Sequence, residues 1–119
     1  GIINKVIKFM IKKGCNFENM TAVIGPSISL KNYEVGDDFK QKFIKKDKKS
    51  LKCFKIDNNK LYFDLSKYVY SQILQNKIKN IDTIKLDTFD IKNKFFSARR
   101  ALSLKQNDYG RNISIIMLY

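Results

Sequence analysis

Three arginines stand out in a chain that otherwise draws its positive charge from lysine: Arg99 and Arg100 side by side, and Arg111 beyond them. A guanidinium is a planar fork of donors that matches phosphate or carboxylate oxygens. All three sit near glycine, serine or aromatic residues at the ends of expected strands, so an anion or substrate clamp is one reading. Structural ion pairs with Glu34, Asp87 or Asp90 are the other, and the residues alone leave both open. Tyr33-Glu34 could orient a ligand or move a proton; a tyrosine packed under its loop and a glutamate paired with a cation is the favoured alternative. Ser27 and Ser29 could hold an anion through hydroxyl and backbone groups. As nucleophiles they lack a base, because the chain contains no histidine, and turn-forming serines are the better reading. The same absence excludes a Ser-His or Cys-His pair within this sequence.

The two cysteines, Cys15 and Cys53, cannot close a tetrahedral zinc site without histidine. They form neither a CxxC motif nor a disulfide framework. Buried or half-buried thiols in a reducing, cytoplasmic setting are expected.

The elements that must position these residues follow from periodicity. Ile2, Ile3, Val6, Ile7, Met10 and Ile11 mark one helical face over residues 1–13, with Gly14 suited to the C-terminal cap and no capping residue in front. Ala22-Val23-Ile24 reads as a buried strand stopped by Gly25-Pro26. Its loop carries Ser27, Ser29, Asn32, Tyr33 and Glu34, and loops at strand ends are where sites usually lie. Gly36-Asp37-Asp38 supplies a hinge and N-cap for a helix from Asp38 to Lys46, with Phe39, Phe43 and Ile44 inward. Lys52–Ile56 and Lys60–Phe63 flank a hairpin turn at Asp57-Asn58-Asn59. Asp64 can cap a third helix over Leu65–Gln75, striped by Leu65, Val69, Ile73 and Leu74 with Tyr68 at the edge. Ile81–Leu86 reads as a strand, Asp87–Lys94 as irregular, and Ala101–Tyr109 as a polar span. Asn112–Leu118 reads as a closing strand buried on both faces. The class is α/β (α+β): a mixed β-sheet packed with about three helices, in one partial domain spanning residues 1–119.

The totals agree with one small domain. There are 119 residues, 44% of them apolar, and no apolar run approaches the ~20 residues of a membrane span. The net charge is +13, from 21 lysines and three arginines against 11 carboxylates. A basic module for RNA or DNA is one interpretation. The lysines are spread along the chain rather than gathered into a base-reading set, so a solvated lysine-rich surface is favoured.

Four stretches, in order, resemble the C-terminal half of the laccase-domain family, the multicopper-polyphenol-oxidoreductase-like proteins also described as purine nucleoside phosphorylases. Ala22-Val23-Ile24-Gly25-Pro26-Ser27-Ile28 is similar to the family's "IGPCI". Tyr33-Glu34-Val35-Gly36 is similar to "YEVG", and Phe95-Phe96-Ser97-Ala98-Arg99-Arg100 to "FFSYRR". Asp108-Tyr109-Gly110-Arg111 with the apolar run behind it is similar to the closing "GR" segment. Each is weak alone; together, in order, they cover nearly the whole chain. Ser27 stands where many members have Cys, and Ala98 where many have Tyr.

The resemblance implies a mixed α/β fold that is half of a larger one. It implies phosphorolysis of purine nucleosides, with adenosine deamination and methylthioadenosine cleavage as further activities. Its implied zinc or copper site uses two His and one Cys, all in the N-terminal half. The last His lies in a "HAGWRG" motif whose final Gly corresponds to Gly1, so no metal ligand is expected in this chain. By position, Tyr33, Arg99, Arg100 and Arg111 carry over as substrate-side residues. The expected partners are an N-terminal half-protein or a second copy, with purine nucleoside and phosphate as ligands of the complete enzyme. The alternative functions are a basic nucleic-acid-binding module and a non-catalytic interaction protein.

Overall fold

The computed structural model describes residues 1–117. Helix α1, Ile2–Lys12, begins at Gly1 with no side-chain cap and ends at Gly14, whose φ of +94° suits a residue without Cβ. After a single 3-10 turn at Phe17–Asn19 comes β1, Thr21–Ile24. Helix α2, Asp37–Lys46, takes Gly36 as its N-cap rather than an aspartate. Asp37 and Asp38 instead occupy its first turn, where carboxylates favour the helix dipole. Asp47 then accepts the Lys49 N–H at 2.9 Å and starts a 3-10 stretch, Lys48–Cys53. The expected strand at Lys52–Ile56 therefore begins only at Phe54: β2 is Phe54–Asp57.

β3, Lys60–Phe63, pairs antiparallel with β2 in the register Asp57↔Lys60 to Phe54↔Phe63. Asn58 and Asn59 both take positive φ, 47° and 59°, which a two-residue hairpin needs and asparagine tolerates. Helix α3 runs Leu65–Gln75 as expected, with Asp64 accepting the Lys67 N–H at 2.9 Å. β4, Asn80–Thr83, lies parallel to β1 in the register Thr21↔Asn80 to Ile24↔Thr83. A parallel pair requires a long crossover, and here α2, the hairpin and α3 all lie within it. Regular pairing stops at Thr83, short of the expected Leu86, but the strands keep touching: Ser27 and Asp87 form a further parallel bridge.

On the C-terminal side the structure adds a helix and lacks a strand. The helix, α4, Ala98–Ser103, runs from the arginine motif into the polar span, with the Ser97 hydroxyl accepting the Arg100 N–H at 3.3 Å. The closing strand is absent among the described residues. Residues 112–117 have no regular structure, and Ile113, Ile115, Ile116 and Met117 are 77–84% exposed. An apolar run forms a buried strand only when neighbours offer backbone partners and cover, and among the described residues no strand pairs with it. Leu118 lies outside the described residues.

The mixed α/β class holds, built as two separate two-stranded sheets, one parallel and one antiparallel, with four α-helices among the described residues. Two cores result. Ile7, Met20, Ile24, Ile73 and Ile78 join α1, β1 and α3 in an aliphatic cluster. Phe39, Phe43, Phe54 and Tyr68 surround Phe63, whose exposure is zero, with ring centroids 4.7–5.7 Å from it. Burying such a ring contributes about 1.5–3 kcal/mol, and edge-to-face contacts add to it. Tyr68 thus lies inside the aromatic core rather than at a stripe edge, while Leu74 is 44% exposed. Among the described residues, no helix is long and apolar enough to cross a membrane.

Candidate functional site

The site assembles from three loops: the one after β1, the one after β4, and the segment leading into α4. Asp87 holds the first two together. Its carboxylate accepts from the Ser29 N–H at 3.2 Å, the Asn32 amide at 2.6 Å, the Phe89 N–H at 2.8 Å and the Ser29 hydroxyl. Burial alone would raise the Asp87 pKa, but these donors outweigh it and hold the carboxyl below its ordinary value. The Asn93 side chain adds a bond to the Asp87 carbonyl at 2.9 Å. Asp87 is therefore a loop organiser and not an arginine partner.

Tyr33 and Glu34 are placed by the hairpin. The Phe63 N–H donates to the Tyr33 carbonyl at 3.0 Å, the Val35 N–H to the Leu61 carbonyl at 2.8 Å, and Glu34 bridges Tyr62. The Tyr33 ring packs edge-on against Phe39 and Phe63. The Glu34 carboxylate pairs with Lys60 at 2.9 Å, which raises the Lys60 pKa.

Arg99, on the first turn of α4, reaches across to this pair. Its Nη1 donates to the Glu34 carbonyl at 3.0 Å, and its guanidinium lies 5.3 Å from the Tyr33 ring centroid. The structure thus brings Tyr33 and Arg99 together, with the rest of the Arg99 fork facing the exposed side. Arg100 points elsewhere. Its guanidinium donates to the carbonyls of Thr88 at 3.0 Å, Phe89 at 2.9 Å and Phe95 at 2.6 Å, closing the 88–95 loop around itself. Arg111 bonds the Tyr109 carbonyl at 2.6 Å and stacks over the Tyr109 ring at 4.1 Å. Its segment is tied to the entry of α4: the Asn112 side chain accepts from the Phe96 N–H at 3.0 Å and donates to the Phe96 carbonyl at 2.7 Å. None of the three arginines forms an ion pair among the described residues. They use backbone carbonyls instead, an option that residue types alone do not reveal.

Two of the concave regions among the described residues lie around the parallel strand pair, and none of the three arginines lines them. Beyond the C-terminal ends of β1 and β4 lies a polar cleft of about 480 Å³ that Ser27, Ser66 and Asp87 line. An apolar groove of about 720 Å³ lies between α1, β1, α3 and residues 113–116. The first helix and the exposed apolar run thus face one groove.

The donors present do not suit a laccase-type metal site. There is no imidazole, Cys53 is buried while Cys15 is exposed rather than half-buried as expected, and no cluster of three potential ligands exists among the described residues. Burial pushes the Cys53 thiol above its ordinary pKa, with opposing help from Lys67, away from the thiolate a metal requires.

The model of the multi-copper polyphenol oxidoreductase laccase family matches residues 1–119. The chain belongs to that family. Among curated members, the purine nucleoside phosphorylases of Rickettsia prowazekii and Rickettsia conorii are each 34% identical to it, over 87% and 94% of this chain. A purine nucleoside phosphorylase of Haemophilus influenzae is 30% identical over 98% of it. The matched portions are 43%, 46% and 46% of those relatives, so the chain spans less than half their length. Family membership fits the four motif stretches, whose residues converge on the three-loop cluster. Sequence reasoning also missed the loop-organising role of Asp87, whose partners Asn32 and Ser29 are 55 and 58 positions away.

Proposed function

We propose that this chain is a single partial domain supplying the substrate side of a purine nucleoside phosphorylase, and that the metal-holding side comes from a further portion of the fold. That portion belongs either to the same polypeptide or to a partner. The observation that carries the reading is the match to relatives named purine nucleoside phosphorylase over less than half their length, in a chain with no imidazole. In this reading Arg99, braced on Tyr33 and the Glu34 carbonyl, presents its remaining N–H donors to phosphate or ribose oxygens. Arg111 offers a second fork, and Arg100 keeps the 88–95 loop ahead of α4 in place. Zinc or copper would be held by the other portion, in a cytoplasmic enzyme with transferase activity and, for adenosine deamination, hydrolase activity.

The purified 119-residue chain should show no phosphorolysis of inosine, adenosine or methylthioadenosine, and no stoichiometric zinc or copper. Co-expression with the N-terminal half of the Rickettsia prowazekii relative should restore turnover. Robust turnover by the metal-free chain alone refutes the reading, and so does failure of a stably associated pair to turn over any of the three nucleosides. The apolar groove favours association as well. Its exposed isoleucines form a contiguous apolar surface of the kind that marks a protein contact.

A further inference from the structure

The polar cleft beyond β1 and β4 has no part in the reading above. Three lysines from distant parts of the chain, Lys31, Lys67 and Lys85, are among the residues that line it. None of them forms a salt bridge among the described residues. The wall also holds two carboxylates, each tied into the fold by hydrogen bonds: one Asp64 oxygen caps α3, and Asp87 accepts from Ser29, Asn32 and Phe89. Ser27 Oγ and Ser66 Oγ lie 2.9 Å apart. Only one hydrogen fits between two hydroxyl oxygens, so the second O–H of the pair remains to donate to something else. Tyr70, Ile84 and Leu86 form the rest of the wall, and about 480 Å³ exceeds what a bare tetrahedral ion fills. In open sheets with parallel strands, ligands collect beyond the carboxyl ends of the strands, and three lysines against two carboxylates leave the lining with a net positive charge that draws anions.

We propose that this cleft binds a phosphate monoester. The phosphoryl oxygens lie among Lys31, Lys67, Lys85 and the Ser27–Ser66 hydroxyl pair, and the organic group lies against Tyr70 and Leu86. Binding here needs neither the metal nor phosphorolysis, so it stands or falls separately from the enzyme reading.

Calorimetric titration of the purified chain at about 50 mM salt, where screening is modest, tests it. Ribose 5-phosphate should bind saturably and more tightly than inorganic phosphate, and ribose should not bind. Lys67→Met and Lys85→Met should each weaken ribose 5-phosphate about tenfold or more, the loss of one charge-assisted bond. Lys48→Met/Lys49→Met, on the 3-10 stretch outside the cleft, should leave affinity unchanged. All three changes are at exposed positions, and unchanged circular dichroism shows that the fold persists. Absence of saturable binding overturns the proposal. Equal weakening by the Lys48/Lys49 pair does too, because the net positive charge alone would then be the cause. Equal affinity for inorganic phosphate overturns the role of Tyr70 and Leu86.

Discussion

Replacing Asp87 by Asn tests how the site loops are held. The carboxylate accepts bonds from Ser29, Asn32 and Phe89, joining the loop after β1 to the loop after β4. An asparagine keeps one acceptor oxygen and turns an NH₂ toward groups that are themselves donors. Hydrogen bonds to a charged group contribute about 1.5–3 kcal/mol each, and bonds sharing one acceptor do not add. A net loss of roughly 2–3 kcal/mol is expected, more than one such bond and less than all of them. For a chain of this size that lowers the melting temperature by about 8–12 °C. The pH dependence follows from the depressed pKa of Asp87. A carboxyl whose folded pKa lies below its unfolded value stabilises fully above the unfolded value, about 3.9 for aspartate. That stability is lost as pH falls through the folded pKa. Parent and D87N should therefore differ most at neutral pH and converge as pH drops below about 4. Thermal melts followed by circular dichroism at several pH values measure both effects. Equal melting temperatures at pH 7, or a gap that stays constant into acid, would refute the reasoning.

The remaining predictions concern single side chains. Arg100→Lys removes the fork that spans the Thr88, Phe89 and Phe95 carbonyls; it should cost about 2–3 kcal/mol and speed amide exchange across residues 88–95, both measurable by NMR. Phe63→Ala empties the centre of the aromatic core and should cost about 3–5 kcal/mol, read as a fall in the urea midpoint. Gly110→Ala would place a Cβ 2.5 Å from the Phe96 ring; a destabilisation of about 1 kcal/mol and a shifted Asn112 side-chain amide resonance are expected. Of the two thiols, exposed Cys15 should react promptly with a disulfide reagent at pH 8, and Cys53, buried and with a raised pKa, only after denaturant is added.

Where a local signal was complete, the sequence announced the element. Asp64 ahead of an apolar-periodic stretch marked α3 at roughly its observed bounds, and Asp57-Asn58-Asn59 between two strand-like runs marked the hairpin, whose turn proper is Asn58-Asn59. Helix α4 was hidden because it is one and a half turns long and its cap, Ser97, sits inside a motif that drew attention to its arginines. The run Ile113–Met117 has the composition of a buried strand, but burial is a property of neighbours, and those side chains are exposed. The same division holds at the site. Tyr33 and Arg99 each lie in a motif stretch that resemblance singled out, but their contact became visible only in the fold. The Asp87 cluster came from none, because a carboxylate after a strand looks the same whether it faces water or four donors.

Helix α3 carries Tyr68 toward the phenylalanine cluster and Val69 and Ile73 toward the aliphatic one. The aromatic cluster draws on residues 33–68, whereas the aliphatic one needs α1 and the Thr21–Asn80 register, which brings distant ends of the sequence together. Short loops close fast and distant ones slowly. Refolding should therefore proceed in two stages, with the hairpin and the N-terminal half of α3 condensing first. The parallel pair, and with it the arrangement of Asp87 and its donors, would arrive last and be the first to come apart.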